Sequence, residues 1–165
     1  MTALTIEKLT AKHSLSGFDC GVTDLNRYLT AFALQNQSAN AAQTYVCVSG
    51  GDIAGFYSLS ASSVAFAEAP ERMRKGLARH PLPVMLLARL AIDTRWQSTG
   101  IGASLLKDAS LRAIETSSIA GVRALVVQAK DENALSFYRH FGFLEGFTEP
   151  NTLYFLTKDL RSKVN

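Results

Sequence analysis

The stretch Gln97-Ser98-Thr99-Gly100-Ile101-Gly102 is the part of this sequence best suited to chemistry. It stands between a run that reads as a buried strand, Val84 to Ile92, and one that reads as a helix, Ala103 to Thr116. Glycines where a helix opens let the backbone come close to a ligand, because no Cβ stands in the way. The first N–H groups of that helix lack intrahelical partners and lie at the positive end of its dipole. A phosphate or pyrophosphate suits such a place. The spacing is not that of a P-loop, since the lysine is missing, nor the Gly-x-Gly-x-x-Gly of a dinucleotide fold. Taken alone, it also suits a tight turn that happens to use glycine.

A second segment changes the reading: Asn133-Ala134-Leu135-Ser136-Phe137-Tyr138-Arg139-His140-Phe141-Gly142-Phe143. With Gln97 to Gly102, at this separation and in this order, it resembles the GCN5-related N-acetyltransferase (GNAT) superfamily. Phe18-Asp19-Cys20-Gly21, Leu25-Asn26-Arg27-Tyr28-Leu29, the Gly55–Ser60 strand and the Pro83–Asp93 strand resemble one branch of it. That branch holds acetyltransferase toxins of toxin–antitoxin pairs, which acetylate the amino acid on charged tRNA and stop translation. The match runs from Leu9 to Leu160 without a large insertion.

The resemblance implies acetyl-CoA as cofactor and a role for each matching residue. The main chain of Leu90, Ala91 and Ile92 would hold the pantetheine and the acetyl oxygen. Gln97, Ser98, Thr99, Gly100, Ile101 and Gly102 would cradle the pyrophosphate, with Ala103 continuing into the helix. Asn133 either bonds the pantetheine or caps its helix. Tyr138 is expected as general acid: a phenol with an ordinary pKa near ~10 is protonated at neutral pH and can donate to a leaving thiolate. The alternative is that Tyr138 packs between helix and sheet, although Phe137 reads as the better core residue. No general base declares itself, because Asp131 and Glu132 read as exposed loop carboxylates. The α-amine of an aminoacyl ester is less basic than a lysine, so it can reach the site neutral.

Charge bears on the substrate. The net charge of +3 is too modest to argue from, but its distribution is uneven. Ala31 to Ala69 contains no Lys or Arg, whereas Arg72, Arg74, Lys75, Arg79 and Arg89 follow with the single acid Glu71. Such a cluster beside an active-site strand suits the phosphates of an RNA acceptor stem. It equally suits a solvated face or the 3′-phosphate of CoA. Arg89, inside an apolar strand, needs a partner or an opening into the cleft, since an isolated buried charge is costly.

The elements that must position these residues are those of one α/β domain spanning 1–165. The 47% hydrophobic content over 165 residues is enough for a substantial core. Thr23 is expected to cap a helix carrying Leu25, Tyr28, Leu29, Phe32 and Ala33 on one buried face. Thr44–Val48 and Ile53–Ser60 read as a hairpin around Ser49-Gly50-Gly51-Asp52. Leu82–Asp93 reads as a central strand covered on both faces. Ile101, Leu105, Ala109 and Ala113 recur every fourth residue on the next helix. Ala124–Ala129 follows as a strand, Asn133–His140 as a helix and Leu153–Thr157 as a closing strand. The expected fold is a GNAT α/β fold: a mixed central sheet with splayed strands, flanked by helices on both faces.

Cys20 and Cys47 lack metal-ligand spacing and read as free thiols, and His13, His80 and His140 lie far apart, so no metal is expected. No apolar run is long enough to span a membrane, and no signal peptide opens the chain, so a cytoplasmic protein is expected. By the resemblance, the partners would be aminoacyl-tRNA, a ribbon–helix–helix antitoxin, and operator DNA through the antitoxin complex in a repressor role. A homodimer would widen the basic platform. The alternatives are an acetyltransferase of a small-molecule or protein amine, and a CoA-binding regulatory module without turnover. No acidic patch for polyamines is evident, and intact Gln97, Gly100, Gly102 and Tyr138 argue against the third.

Overall fold

A computed structural model describes residues 3–164. In chain order the strands are β1 (Leu4–Lys8), β2 (Gln43–Ser49), β3 (Asp52–Val64), β4 (Leu82–Ile92), β5 (Ala124–Gln128), β6 (Leu144–Glu145) and β7 (Thr152–Leu156). The helices are α1 (Thr23–Arg27), α2 (Ala33–Ser38), α3 (Glu71–Arg74), α4 (Ile101–Ser117), α5 (Glu132–Phe141) and α6 (Thr157–Val164). The sheet order is β1-β2-β3-β4-β5-β7-β6, mixed because β4 and β5 run parallel while β5–β7 and β6–β7 are antiparallel. The chain groups into two compact units, residues 1–60 with 88–109, and residues 61–87 with 110–165.

In the first unit, β1, β2 and β3 pair as an antiparallel meander, with Ile6 opposite Cys47 and Val46 opposite Phe56. Side chains alternate across a strand, so successive β3 residues meet different helices. Phe56 packs edge-on against Phe18 and stacks on Tyr28, which belong to the α1–α2 side. Tyr57 points the other way and donates its hydroxyl to Asp108 of α4. Gly55 shares that face, where an added Cβ would come within 2.9 Å of Leu105 and 3.0 Å of the Ala91 carbonyl. Only glycine lets α4 lie this close.

The α1–α2 segment departs from a regular helix. Val22, not Thr23, occupies the N-cap, and no side chain caps it. Tyr28–Phe32 forms a π-helical turn. The widened turn shifts the helical phase, so Tyr28, Leu29 and Ala33 are buried while Phe32 is 43% exposed. The expected five-residue stripe therefore loses Phe32, which instead lies under the Arg27 guanidinium.

In the second unit, Val84↔Ala124 through Leu87↔Val127 join β4 to β5, and Ala124↔Leu156 joins β5 to β7. One face carries Val84, Val126 and Tyr154 against Met73 of α3. On the other, Phe155 meets Phe141 and Phe143 edge-on, and Lys163 of α6 lies over the Phe141 and Phe155 rings. Helices thus cover both faces of the strands in each unit.

The register between β4 and β5 ends at Leu87↔Val127, although β4 continues to Ile92. β5 itself ends one residue further on, at Gln128. β4 is less covered than the sequence suggests: Pro83 and Ala88 are exposed, and Met85, Leu86, Arg89, Leu90 and Ile92 are half-buried. Cys20 and Cys47 are buried free thiols. Among the described residues no helix is long and apolar enough to cross a membrane, and no cluster of His, Cys, Asp and Glu could hold a metal.

Candidate active site

The first unit holds the turn that leaves β4. Asp93 ends the strand, Thr94–Trp96 forms a 3-10 turn, and α4 begins at Ile101. Ile101 and Leu105 are buried and root the helix, while Ser98, Thr99 and Gly100 are exposed. Gly100 adopts φ +91°, and nothing lies within 4 Å of where its Cβ would stand. That open space is a backbone cradle a ligand can enter. The carbonyl of Gly100 accepts the Ser104 N–H, so by helix geometry the N–H groups of Ile101, Gly102 and Ala103 precede the first intrahelical bond. These donors suit a diphosphate.

The turn is braced from the Phe18–Gly21 segment. The Thr94 N–H donates to the Asp19 carbonyl, and the Gln97 side-chain amide donates to the carbonyls of Cys20 (3.1 Å) and Ile92 (3.0 Å). The Gln97 side chain therefore fastens the turn, which leaves its main chain for a ligand. Asp19 accepts from Gly21 N–H and Asn26 Nδ2, both at 2.9 Å, and these bonds hold its pKa below the usual carboxylate value. Asp93 is 1% exposed; burial alone would raise its pKa, but bonds from Arg95 and the Asp19 N–H outweigh it and lower it. Asp19, Asn26 and Asp93 escaped the sequence reading as braces. The signal was there in Asp93, a lone acid closing an apolar strand.

Ala91 is buried, and the Leu90–Ile92 main chain lies past the last β4–β5 pair, Leu87↔Val127. A strand edge without a neighbour leaves N–H and C=O groups for other partners. Arg89 belongs to this unit as well. Its expected partner is not a carboxylate but the Tyr28 ring, with the guanidinium carbon 3.6 Å from the ring centroid.

The second unit holds α5. Asp131 is its N-cap and accepts the Ala134 N–H at 2.8 Å, so Asp131 is a structural carboxylate and Asn133 is not the cap. Asn133 is exposed one residue into the helix. Gly142 terminates α5 at φ +118°, where a Cβ would meet the Phe155 ring at 3.0 Å. The burial of the aromatic pair is the reverse of that expected: Tyr138 is 7% exposed and Phe137 half-buried. The Tyr138 ring lies between Phe137 and Phe143, at 5.2 and 5.4 Å. Burial pushes its pKa well above the ordinary phenol value, so the hydroxyl keeps its proton at neutral pH. Its oxygen has no hydrogen-bond partner among the described residues.

The basic residues expected to meet RNA differ in their partners. Arg72 forms a bidentate pair with Asp159, at 2.7 and 3.1 Å. Arg74 lies between the rings of Phe66 (5.4 Å) and exposed Phe147 (4.8 Å), and Arg79 lies on the Phe66 ring. Lys75 is exposed on the same groove, of about 550 Å³, lined by Phe66, Glu71, Arg72 and Arg74. Arg89 belongs to the other unit.

Comparison with known proteins agrees with these features. Residues 40–145 match the acetyltransferase (GNAT) domain family. A tRNA-acetylating toxin of Mycobacterium tuberculosis (strain ATCC 25618 / H37Rv) is 38% identical over 150 residues, 91% of this chain and 90% of that protein. The structure of AtaT complexed with acetyl-methionyl-tRNAfMet superposes with TM-score 0.92 at 31% identity, covering 99% of this chain and 100% of that one. A tyrosine-to-phenylalanine variant of AtaT, bound to the C-terminus of the antitoxin AtaR and acetyl-CoA, gives TM-score 0.82 at 32% identity, covering 98% and 97%. With the family match over residues 40–145 and a relative 38% identical across 91% of this chain, the chain belongs to the GNAT acetyltransferases.

Proposed function

We propose that this protein is an acetyl-CoA-dependent N-acetyltransferase that acetylates the α-amino group of aminoacyl-tRNA and so inhibits translation, the toxin of a toxin–antitoxin pair. The observation that carries the enzyme reading is the turn Gln97–Gly102, clasped by Asp19 and Cys20 to the end of β4, past its register with β5. The RNA substrate is supported by the 38% identical tRNA-acetylating toxin and the likeness to AtaT in its tRNA complex.

When bound, acetyl-CoA supplies an activated acyl thioester. The main chain of Gln97 to Gly102, running into Ala103, holds the diphosphate at the start of α4. Leu90, Ala91 and Ile92 offer main-chain groups to the pantetheine and the acyl oxygen, and a preorganised N–H donor at such an oxygen contributes roughly 3 kcal/mol. Exposed Asn133 is available to the pantetheine, since Asp131 caps the helix. The attacking amine arrives neutral, and its proton passes to solvent as the C–N bond forms and the C–S bond breaks. Tyr138 gives its hydroxyl proton to the departing sulfur and regains one from water. Burial keeps that phenol in the protonated state from which it can donate.

Arg74, Lys75, Arg79 and Arg89 contact RNA in this reading, with Arg72 engaged by Asp159. A ribbon–helix–helix antitoxin silences the enzyme, operator DNA is reached through that complex, and the active form is a cytoplasmic homodimer. The AtaT structure with antitoxin and acetyl-CoA supports the antitoxin. The test is thiol release from acetyl-CoA by the purified protein with charged tRNA, uncharged tRNA and a lysine peptide. Release with charged tRNA alone, yielding N-acetylaminoacyl-tRNA, is expected. Release with the peptide and none with charged tRNA would replace this reading by a protein-amine acetyltransferase.

A further inference from the structure

Arg89 is a half-buried cation on β4 with no carboxylate partner among the described residues. Arg95, in the same unit, shows the contrast: it is bound by Asp93 at 3.1 Å with Asp52 at 3.7 Å. The Arg89 guanidinium instead lies over the Tyr28 ring. Tyr28 is parallel to Phe56 within 11° at 6.3 Å, and Phe56 meets Phe18 edge-on at 5.5 Å. The guanidinium therefore caps an aromatic column rooted in the core. The π-helical turn that begins at Tyr28 keeps this ring and Leu29 inward while sending Phe32 out. A ring attracts a cation but leaves its charge unneutralised, and a planar N–H fork held over a ring remains free to take a bidentate anion.

The two faces of β4 say which anion. Arg89 shares its face with Ala91, which packs into the core formed with Tyr28 and Leu29. Ile92 lies on the opposite face, where it and Leu105 of α4 both approach Gly55. The diphosphate turn opens α4, so the cofactor belongs to the face that Arg89 does not share. The anion for Arg89 comes from the α1–α2 side, with the second substrate.

We propose that Arg89, held by Tyr28, seats the phosphodiester next to the aminoacylated terminal nucleotide and thereby positions the amine along β4. The proposal rests on the aminoacyl-tRNA reading. It names a substrate-positioning site built from β4 and the π-turn.

The test compares two minimal acceptors: 3′-aminoacyl-adenosine, which has no phosphodiester, and the aminoacylated cytidylyl-adenosine dinucleotide, which has one. The wild type should prefer the dinucleotide by at least about tenfold in kcat/KM, the scale of a hydrogen-bonded charge. In Arg89→Gln and in Tyr28→Leu that ratio should fall toward one, with Arg89→Lys between them. Calorimetric affinity for acetyl-CoA should stay at the wild-type value, which also reports an intact fold. A ratio preserved in Arg89→Gln overturns the proposal, as does acetyl-CoA affinity falling with it, which would assign Arg89 to the cofactor. Failure of the wild type to acetylate charged tRNA overturns the function itself, a result distinct from a preserved ratio.

Discussion

Asp93 accepts the main-chain N–H of Asp19 at 3.1 Å, tying the Phe18–Gly21 segment to the end of β4. The same carboxylate takes the Arg95 N–H at 2.9 Å and its Nε at 3.1 Å. One buried acid thus joins the end of β4, the Thr94–Trp96 turn and the segment that braces both. A buried carboxylate is stable only when its lone pairs are filled this way.

Asp93→Asn should lower stability by about 2 kcal/mol, the scale of hydrogen bonds to a charged group, and weaken acetyl-CoA binding. Chemical denaturation and calorimetry measure the two effects. Unaltered acetyl-CoA affinity in a destabilised variant would confine Asp93 to folding.

The depressed pKa of Asp93 gives its contribution a pH dependence. The stabilisation is complete above the unfolded carboxylate value of ~3.9 and is lost as pH falls through the lower folded value. Melting temperature followed downward from about pH 5 should drop less steeply in Asp93→Asn than in the wild type. Identical acid profiles would show that other carboxylates dominate, Asp19 and Asp159 being similarly depressed.

Tyr138→Phe keeps the ring against Phe137 and Phe143 and removes only the hydroxyl. Acetyl transfer should fall by roughly 10²–10⁴-fold in kcat, the usual worth of a general acid, with acetyl-CoA affinity retained. Single-turnover kinetics would show whether the loss lies in the chemical step. Normal turnover would reassign Tyr138 to packing.

Gly100→Ala meets no neighbour but must hold φ +91°, at a cost of about 1–2 kcal/mol. The expected outcome is a loop that relaxes, with acetyl-CoA affinity reduced about tenfold and a melting temperature only slightly changed. Calorimetry decides it; full affinity would mean that the cradle tolerates another backbone shape.

The ion pair of Arg72 with Asp159 separates it from its basic neighbours. Arg72→Gln should leave RNA affinity nearly unchanged, whereas Arg74→Gln with Arg79→Gln should weaken it and flatten the salt dependence by roughly two phosphate contacts. Binding titrations at several salt concentrations distinguish them. Equal effects would restore the basic segment as a single patch.

The hairpin of β2 and β3, the strands β4, β5 and β7 and the amphipathic stripe of α4 were legible because each is a local pattern, whereas the short elements β1, α3 and β6 and the closing helix α6 were not expected. Ile101, Leu105, Ala109 and Ala113 repeat at helical spacing and are all buried. Phe32 was misjudged because a π-turn leaves no simple periodic trace. Phe137 and Tyr138 were misranked because a helix of fixed ends can rotate either ring inward, and the Phe143–Phe155 contacts that choose are long-range.

By itself the sequence determined that a glycine-bearing turn follows an apolar strand and precedes a long helix, because glycine spacing and hydrophobic period are written residue by residue. Only the tertiary structure decided what each charge does. Arg72 meets an acid 87 positions away, Arg89 meets the Tyr28 ring, and Asp93 reaches back 74 positions to Asp19. A charge is neutralised, stacked or left available according to what lies within a few ångströms, and those neighbours are brought in by the chain's folding, not by its order.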